Sequence, residues 1–272
     1  MRRVPASAKL NLALVVGHRR EDGKHEVATV LQRVDLADGI SLESAPRLEV
    51  RGFPDDSLVS TALTALAEAA AVEPRWAVRI EKRIPVAAGL GGGSSDAAAA
   101  LRLANETLER PLAPGELHEL AHRLGSDVPF FLARGPQLGE GDGGELSPLE
   151  LPQDYCVLVA LPEGVAKTST AEVYEAFEER SGADGFEERR AALRAALADV
   201  RSPGDLASLP DNDLASSPLG DELRALGAFR ADVTGTGPAV YGLFAARDRA
   251  EAARRALAGR ARTWLTVPAW YG

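Results

Sequence analysis

The stretch "PVAAGLGGGSSDAAAA", residues 85–100, sets Gly89, Gly91, Gly92 and Gly93 around Leu90, then places Ser94, Ser95 and Asp96 before an alanine run. Glycine costs about 1 kcal/mol more than alanine inside a helix, so this many glycines imply a use for bare backbone. The first turn of a helix carries unpaired N–H donors and a partial positive charge, and glycine lets that backbone come close to an anion. Ser94 and Ser95 add hydroxyls that can donate to the same anion. The chemistry this composes is the binding of a nucleotide phosphate. A Walker loop ends in Gly-Lys-Ser/Thr, and no lysine follows these glycines. A dinucleotide turn needs a third glycine where Ser94 stands and an acidic residue roughly 20 positions on, closing a second strand. A flexible linker would not be bracketed by a strand and an alanine-rich helix.

A second pattern competes. "HELAH", residues 118–122, fits H-E-x-x-H, in which two histidines on one helix face hold zinc and Glu119 is the base. The helix is short and starts just after Pro114-Gly115, while the remaining histidines, His18 and His25, lie far upstream. His118 and His122 are therefore expected on the helix surface, and no structural metal is expected.

Other segments make the glycine loop more specific. "PVAAGLGGGSSDAA" resembles the second motif of the GHMP kinases, small-molecule kinases with a glycine loop in place of a Walker motif. "AKLNLALVVGHRREDGKHE" (8–26) resembles their first motif and "VTGTGPAVYGLF" (233–244) their third. "EDGKHE", "LGSDVPFFL" and "NDL" resemble the branch whose acceptor is diphosphocytidyl methylerythritol, phosphorylated on its 2-hydroxyl in the non-mevalonate isoprenoid pathway. The likeness runs nearly end to end.

The resemblance implies an α+β, two-lobed GHMP kinase fold, with ATP and substrate bound in the cleft between the lobes and with ATP and Mg²⁺ as cofactors. It implies Lys9 and Asp127 as the catalytic pair: the aspartate takes the proton of the acceptor hydroxyl, and the lysine pairs with it and stabilises the transferring group. Asn11, Lys24, His25, Thr170 and Tyr174 match acceptor-binding positions, with His25 reading the polar edge of cytosine and Tyr174 a platform for the base. ATP-binding positions are Lys82, Pro85, Gly89, Leu90, Gly91, Gly92, Gly93, Ser94, Ser95 and Asp96, with Lys82 and Asp96 near the nucleoside. Gly235, Thr236 and Gly237 form the third-motif loop, and Ser94 or Ser95 joins phosphate oxygens around magnesium. Three positions depart from the family pattern: Lys24 stands where an aromatic residue usually stacks on cytosine, Ser57 where an asparagine opens a helix, and Ala215 where glutamate follows "NDL". The alternatives left open are a kinase of this type acting on a different small alcohol, and a nucleotide-binding module without catalysis.

The elements that must position these residues follow from periodicity. "AKLNLALVVG" alternates like a strand and runs into an Asp-Gly turn, which predicts a hairpin or a tight connection. "RLEVRG" and "WAVRIEKRIP" read as strands, and "DSLVSTALTALAEAAAV" and "SSDAAAALRLANETLE" as helices. "GELHELAHRL" reads as a further helix, and "DVPFFLARG" and "GPQLGEG" as short strands or loops. "DYCVLVALP" opens a second unit, with Cys156 as a buried strand residue. Helices follow at 169–180 and 187–198, then two strands around "TGTGP", the helix "RDRAEAARRAL" and a last strand, "RTWLTVPA". The expected division is an N-terminal kinase domain at 1–150, carrying the glycine loop, and a C-terminal domain at 151–272.

Composition sets the limits. The 272 residues are 45% hydrophobic and 26% charged, with a formal net charge of -9 and a single cysteine. Such a chain can bury a large core, has no internal disulfide, and is not expected to bind nucleic acid. No segment approaches the roughly 20 apolar residues of a membrane span, and the N-terminus lacks a signal-peptide pattern, so a cytoplasmic, non-membrane protein with a small-molecule partner is expected.

Overall fold

The computed structural model describes residues 1–53, 57–165 and 168–269. The first sheet is built on a long antiparallel hairpin, β1 (Arg2–Arg19) and β2 (His25–Ser44). β1 runs along one edge of β2. Along the other edge lie β4 (Trp76–Glu81) and β5 (Gln137–Glu140), with β3 (Glu49–Arg51) beyond β4 and β6 (Glu145–Pro148) beyond β5. Three helices cover this sheet: α1 (Ser57–Ala69), α2 (Gly92–Asn105) and α3 (Pro114–Leu124). Their apolar stripes, among them Leu63, Leu66, Leu101 and Leu120, close over Ile40, Leu42, Val78 and Ile80 of the strands. Asp56, the expected start signal of α1, lies outside the described residues.

The second sheet is antiparallel in the order β10-β7-β9-β8, from β7 (Cys156–Pro162), β8 (Arg230–Val233), β9 (Val240–Phe244) and β10 (Ala261–Thr266). Strand alternation divides its side chains. Leu158 and Ala160 face α6 (Pro218–Ala225) and α7 (Arg247–Ala256), whereas Val157 and Val159 join a core with Leu10 and Val15 of β1. Two further helices, α4 (Thr170–Glu179) and α5 (Phe186–Asp199), complete this half. The strands of the two sheets thus divide in the chain near residue 150, but one hydrophobic core is common to both. Cys156 is the half-buried first residue of β7 rather than a buried one.

Among the described residues, β2, β6 and α6 have no counterpart in the periodicity. β2 is buried on both faces through its first half, where Val27, Ala28, Val30 and Leu31 leave no alternation, and only its end, Ile40-Ser41-Leu42-Glu43, alternates. "DVPFFLARG" folds as a 3₁₀ turn at Pro129–Phe131, not a strand, because Pro129 sets the turn and both phenylalanines are buried.

Candidate active site

β1 delivers the first two polar groups. Lys9 and Asn11 are two residues apart and therefore share a face. A register shift between Asn11 and Ala13 changes that parity, so Leu14 rather than Ala13 faces the cavity further along. Lys9 is 4% exposed, and its Nζ donates to Asn11 Oδ1 at 2.7 Å and lies 3.4 Å from Asp127 Oδ2. Asp127 is half-exposed on the loop between α3 and the 3₁₀ turn. Asn11 is fixed on all sides: its Nδ2 donates to Thr29 Oγ1 at 2.8 Å and its backbone N–H donates to Thr234 Oγ1 at 3.1 Å. The result is a cation and a partly exposed carboxylate on opposing elements, facing a cavity of about 770 Å³.

The glycine loop lies directly beside Lys9, whose backbone N–H donates to the Leu90 carbonyl at 3.0 Å. Gly91 caps α2 in the left-handed conformation, and a Cβ there would lie 2.9 Å from both Lys9 Cγ and Phe131 Cζ. Gly89 has φ +82, and a Cβ on it would lie 2.2 Å from the Thr234 carbonyl oxygen. These two glycines let the loop close on Lys9 and on the third motif, which the Ala239 N–H to Ala88 carbonyl bond also ties to it. Gly93 differs: a Cβ there would meet nothing within 4 Å, so the loop is open to the cavity at the first turn of α2. Substituting Gly89 with alanine is expected to destabilise the fold by at least about 2 kcal/mol, read from denaturant unfolding, because strain and backbone overlap add. Gly93→Ala is expected to keep wild-type stability while raising the ATP KM roughly tenfold, the equivalent of about 1.4 kcal/mol of lost contact.

At the far end of the cavity α4 packs on the β1–β2 turn. The rings of Tyr174 and His25 stack with centroids 4.5 Å apart, and Phe177 meets His25 edge-on. His25 Nε2 lies 2.9 Å from Glu178 Oε1, without the alignment of a hydrogen bond. Burial and the nearby Asp127 carboxylate push the Tyr174 hydroxyl up to about 12. Thr170 lines the cavity at the start of α4, where Ser169 caps the helix by accepting from the Glu172 N–H. Lys24 Nζ donates to Asp142 Oδ2 at 2.5 Å and to Ser126 Oγ at 3.3 Å. Burial pushes the Asp142 carboxyl up, but hydrogen bonds from Lys24, His122 and the Gly144 amide more than offset that and hold it well below the usual carboxylate range.

Lys9, Asn11, Lys24, His25, Pro85, the loop from Gly89 to Ser94, Asp127, Thr170, Tyr174, Gly235 and Thr236 all line this one cavity. Four of the residues implied by the kinase resemblance do not. Ser95 is 2% exposed and borders a smaller cavity with Ser7, Arg33 and Arg102. The Gly237 N–H turns back to the Thr234 carbonyl. Lys82 and Asp96 bond to each other at 2.8 Å, and Lys82 also holds Asp38 at 2.5 Å. Asp38 in turn accepts from the Arg83 and Ile84 amides and so anchors the chain entering the glycine loop. Both carboxylates are fully buried, so Lys82→Met is expected to cost about 3–5 kcal/mol in urea unfolding by leaving them without their cation.

Periodicity and spacing did not pick out Thr29, Thr234, Asn212, Ser126 or Asp142. Asn212 holds the third-motif loop by donating to the Val233 and Gly235 carbonyls. Asn212 in "NDL", Ser126 in "LGSDVPFFL" and Thr234 in "VTGTGPAVYGLF" lie within quoted motifs, whereas Thr29 and Asp142 carry no local signal. His122 Nε2 donates to Asp142 Oδ1 (2.9 Å), and among the described residues no group of three His, Cys, Asp or Glu could hold a metal.

A buried lysine paired with an aspartate beside a lysine-free glycine loop, on this pair of sheets, defines a class. The chain belongs to the GHMP kinase family: residues 57–135 match GHMP kinases N terminal domain and residues 217–262 match GHMP kinases C terminal. Within it, the chain is 38% identical to the 4-diphosphocytidyl-2-C-methyl-D-erythritol kinase of Gloeobacter violaceus, over 94% of this chain and 90% of that one. It is 39% identical to the enzyme of the same name from Pelobacter propionicus, over 93% and 92%. A crystal structure of 4-(cytidine 5'-diphospho)-2C-methyl-D-erythritol kinase superposes with a TM-score of 0.79 at 32% identity, covering all of both chains. Among the described residues no helix is long and apolar enough to cross a membrane.

Proposed function

We propose that this chain transfers the γ-phosphoryl group of ATP to the 2-hydroxyl of 4-diphosphocytidyl-2-C-methyl-D-erythritol. The observation that carries the reading is the Lys9–Asp127 pair, 3.4 Å apart, facing the glycine loop in a cavity whose other end bears the stacked His25 and Tyr174 rings. The amides at the first turn of α2 and the open face of Gly93 receive the phosphates. Asp127 orients the acceptor hydroxyl and takes its proton as the new O–P bond forms and the bond from the β–γ bridging oxygen to the γ-phosphorus breaks, releasing ADP. Lys9, held by Asn11, places its ammonium beside that carboxylate and the transferring group, where the buried setting strengthens its effect. His25 and Tyr174 are the groups placed for the base, which must part the His25–Glu178 contact to reach the ring nitrogen.

Magnesium fits the donor set on one side only. Ser94 lies on the cavity wall beside the phosphate cradle, whereas Ser95 is buried away from it, so Ser94 with phosphate oxygens is the pair that would hold the ion. Bound there, magnesium supplies charge neutralisation on the phosphates.

The test is a turnover assay of purified protein with ATP and Mg²⁺ against the cytidyl acceptor and against simple alcohols such as mevalonate and homoserine. ADP formation with the cytidyl acceptor alone supports the reading, and turnover only of a simple alcohol overturns the acceptor assignment.

A further inference from the structure

Asp142 has no part in the reaction as described, yet it is the most heavily engaged carboxylate beside the cavity. It sits in the tight turn between β5 and β6, with its side chain only 5% exposed. Four groups converge on it. Lys24 Nζ donates to Oδ2 at 2.5 Å, Ser126 Oγ donates to Oδ2 at 3.1 Å, His122 Nε2 lies 2.9 Å from Oδ1, and the Gly144 amide donates to Oδ1 at 3.0 Å. Gly144 allows this packing, because a Cβ there would lie 2.5 Å from the His122 ring.

The partners belong to different parts of the site. Lys24 rides on the β1–β2 turn, next to His25, and contributes an ammonium to the cavity wall. His122 is in the last turn of α3, and Ser126 is on the loop that follows, adjacent to Asp127. One buried charge therefore ties the turn that meets the acceptor to the loop that carries the catalytic carboxylate. On that loop Lys9 pairs with Asp127, and Asp142 accepts from the adjacent Ser126.

We propose that Asp142 is a positioning residue for the acceptor half of the site: it sets Lys24 as a cation toward the acceptor's diphosphate and, through Ser126, the place of Asp127. The inference rests on the proposed acceptor for the role of Lys24, and on the structure alone for the tether. A lysine has three donors, and Asp142 and Ser126 take two, leaving one for an anionic oxygen in the cavity. An ammonium fixed in this way costs less to order on binding than a free one.

Steady-state kinetics on Asp142→Asn, Asp142→Glu, Lys24→Met and Ser126→Ala, with thermal melts of each, test it. In Asp142→Asn the acceptor KM is expected to rise and kcat to fall, each about tenfold, with the ATP KM unchanged. Lys24→Met should reproduce the KM change and Ser126→Ala the kcat change, so the two halves separate. Asp142→Glu should recover part of both. Wild-type KM and kcat in folded Asp142→Asn overturn the proposal, as does a loss of activity that only follows the loss of folded protein.

If the wild type acts on another alcohol, the acceptor reading fails and the same comparison is made with that alcohol; an unchanged acceptor KM then overturns the assignment of Lys24. Should no alcohol react, acylation of Lys24 measured by mass spectrometry decides. Asp142→Asn is expected to raise its labelling rate several-fold relative to Lys9, and an unchanged rate overturns the tether.

Discussion

Asp127→Asn is expected to lower kcat by about a thousandfold, within the 10²–10⁴ range that a positioned general base contributes, while the ATP Kd stays within about twofold. Asparagine has the same shape, and the side chain it replaces is 40% exposed, so neither core packing nor the glycine loop changes. What is lost is the ability to take a proton from the acceptor hydroxyl. Lys9 keeps its bond to Asn11 Oδ1 at 2.7 Å, so the cation remains in place and the effect falls on the proton alone. Single-turnover assays together with ATP titration check this. Wild-type turnover in the variant would remove Asp127 from the mechanism, whereas a parallel loss of ATP affinity would move its role to the phosphates.

Lys9→Met should reduce kcat by roughly 10²–10³, the cost of removing one donor aimed at developing charge. Methionine fills nearly the same volume, and the backbone N–H of residue 9 still reaches the Leu90 carbonyl, so the strand and loop stay joined. Arginine should not rescue activity. The side chain runs past Gly91, whose missing Cβ would lie 2.9 Å from Lys9 Cγ, and Phe131 closes the same gap, leaving no width for a guanidinium. The double variant with Asp127→Asn should be little worse than Asp127→Asn alone, because two groups acting on one proton and one phosphoryl behave as a unit. Additive losses in kcat would show instead that the two act independently.

Much of the architecture was legible without coordinates. The alternation of "AKLNLALVVG", the Asp-Gly turn and the helix after the glycines all appear where local pattern placed them. β2 was not read from the sequence: its first half, buried on both faces, leaves no alternation, and the alternation at Ile40-Ser41-Leu42-Glu43 is too short to mark a 20-residue strand. The glycine loop, Lys9 and Asp127 could be singled out through their motifs. Lys82 and Asp96 could be singled out too, but their partners could not: Asp38, 44 residues before Lys82, takes up the cation and turns the cluster into an anchor for the loop. "HELAH" has the same lesson. Its spacing suits zinc, and only the β5–β6 turn, arriving 20 residues later in the chain, makes His122 a partner of Asp142 instead.

The sequence by itself determined the kind of chemistry: a phosphate cradle, a lysine two residues before an asparagine on one strand face, and an aspartate just past a helix end. Those are local properties of backbone geometry and side-chain type. Tertiary structure decided which groups meet. Lys9 and Asp127 are 118 positions apart, and their 3.4 Å approach exists because the fold brings the loop after α3 to β1, where bare Gly91 leaves room for the Lys9 side chain and Asn11, held by Thr29 and Thr234, fixes its ammonium. Lys24 presents an ammonium to the cavity because a buried aspartate from a distant turn fixes it there. Distance between charges sets their energy, and only the folded chain sets that distance.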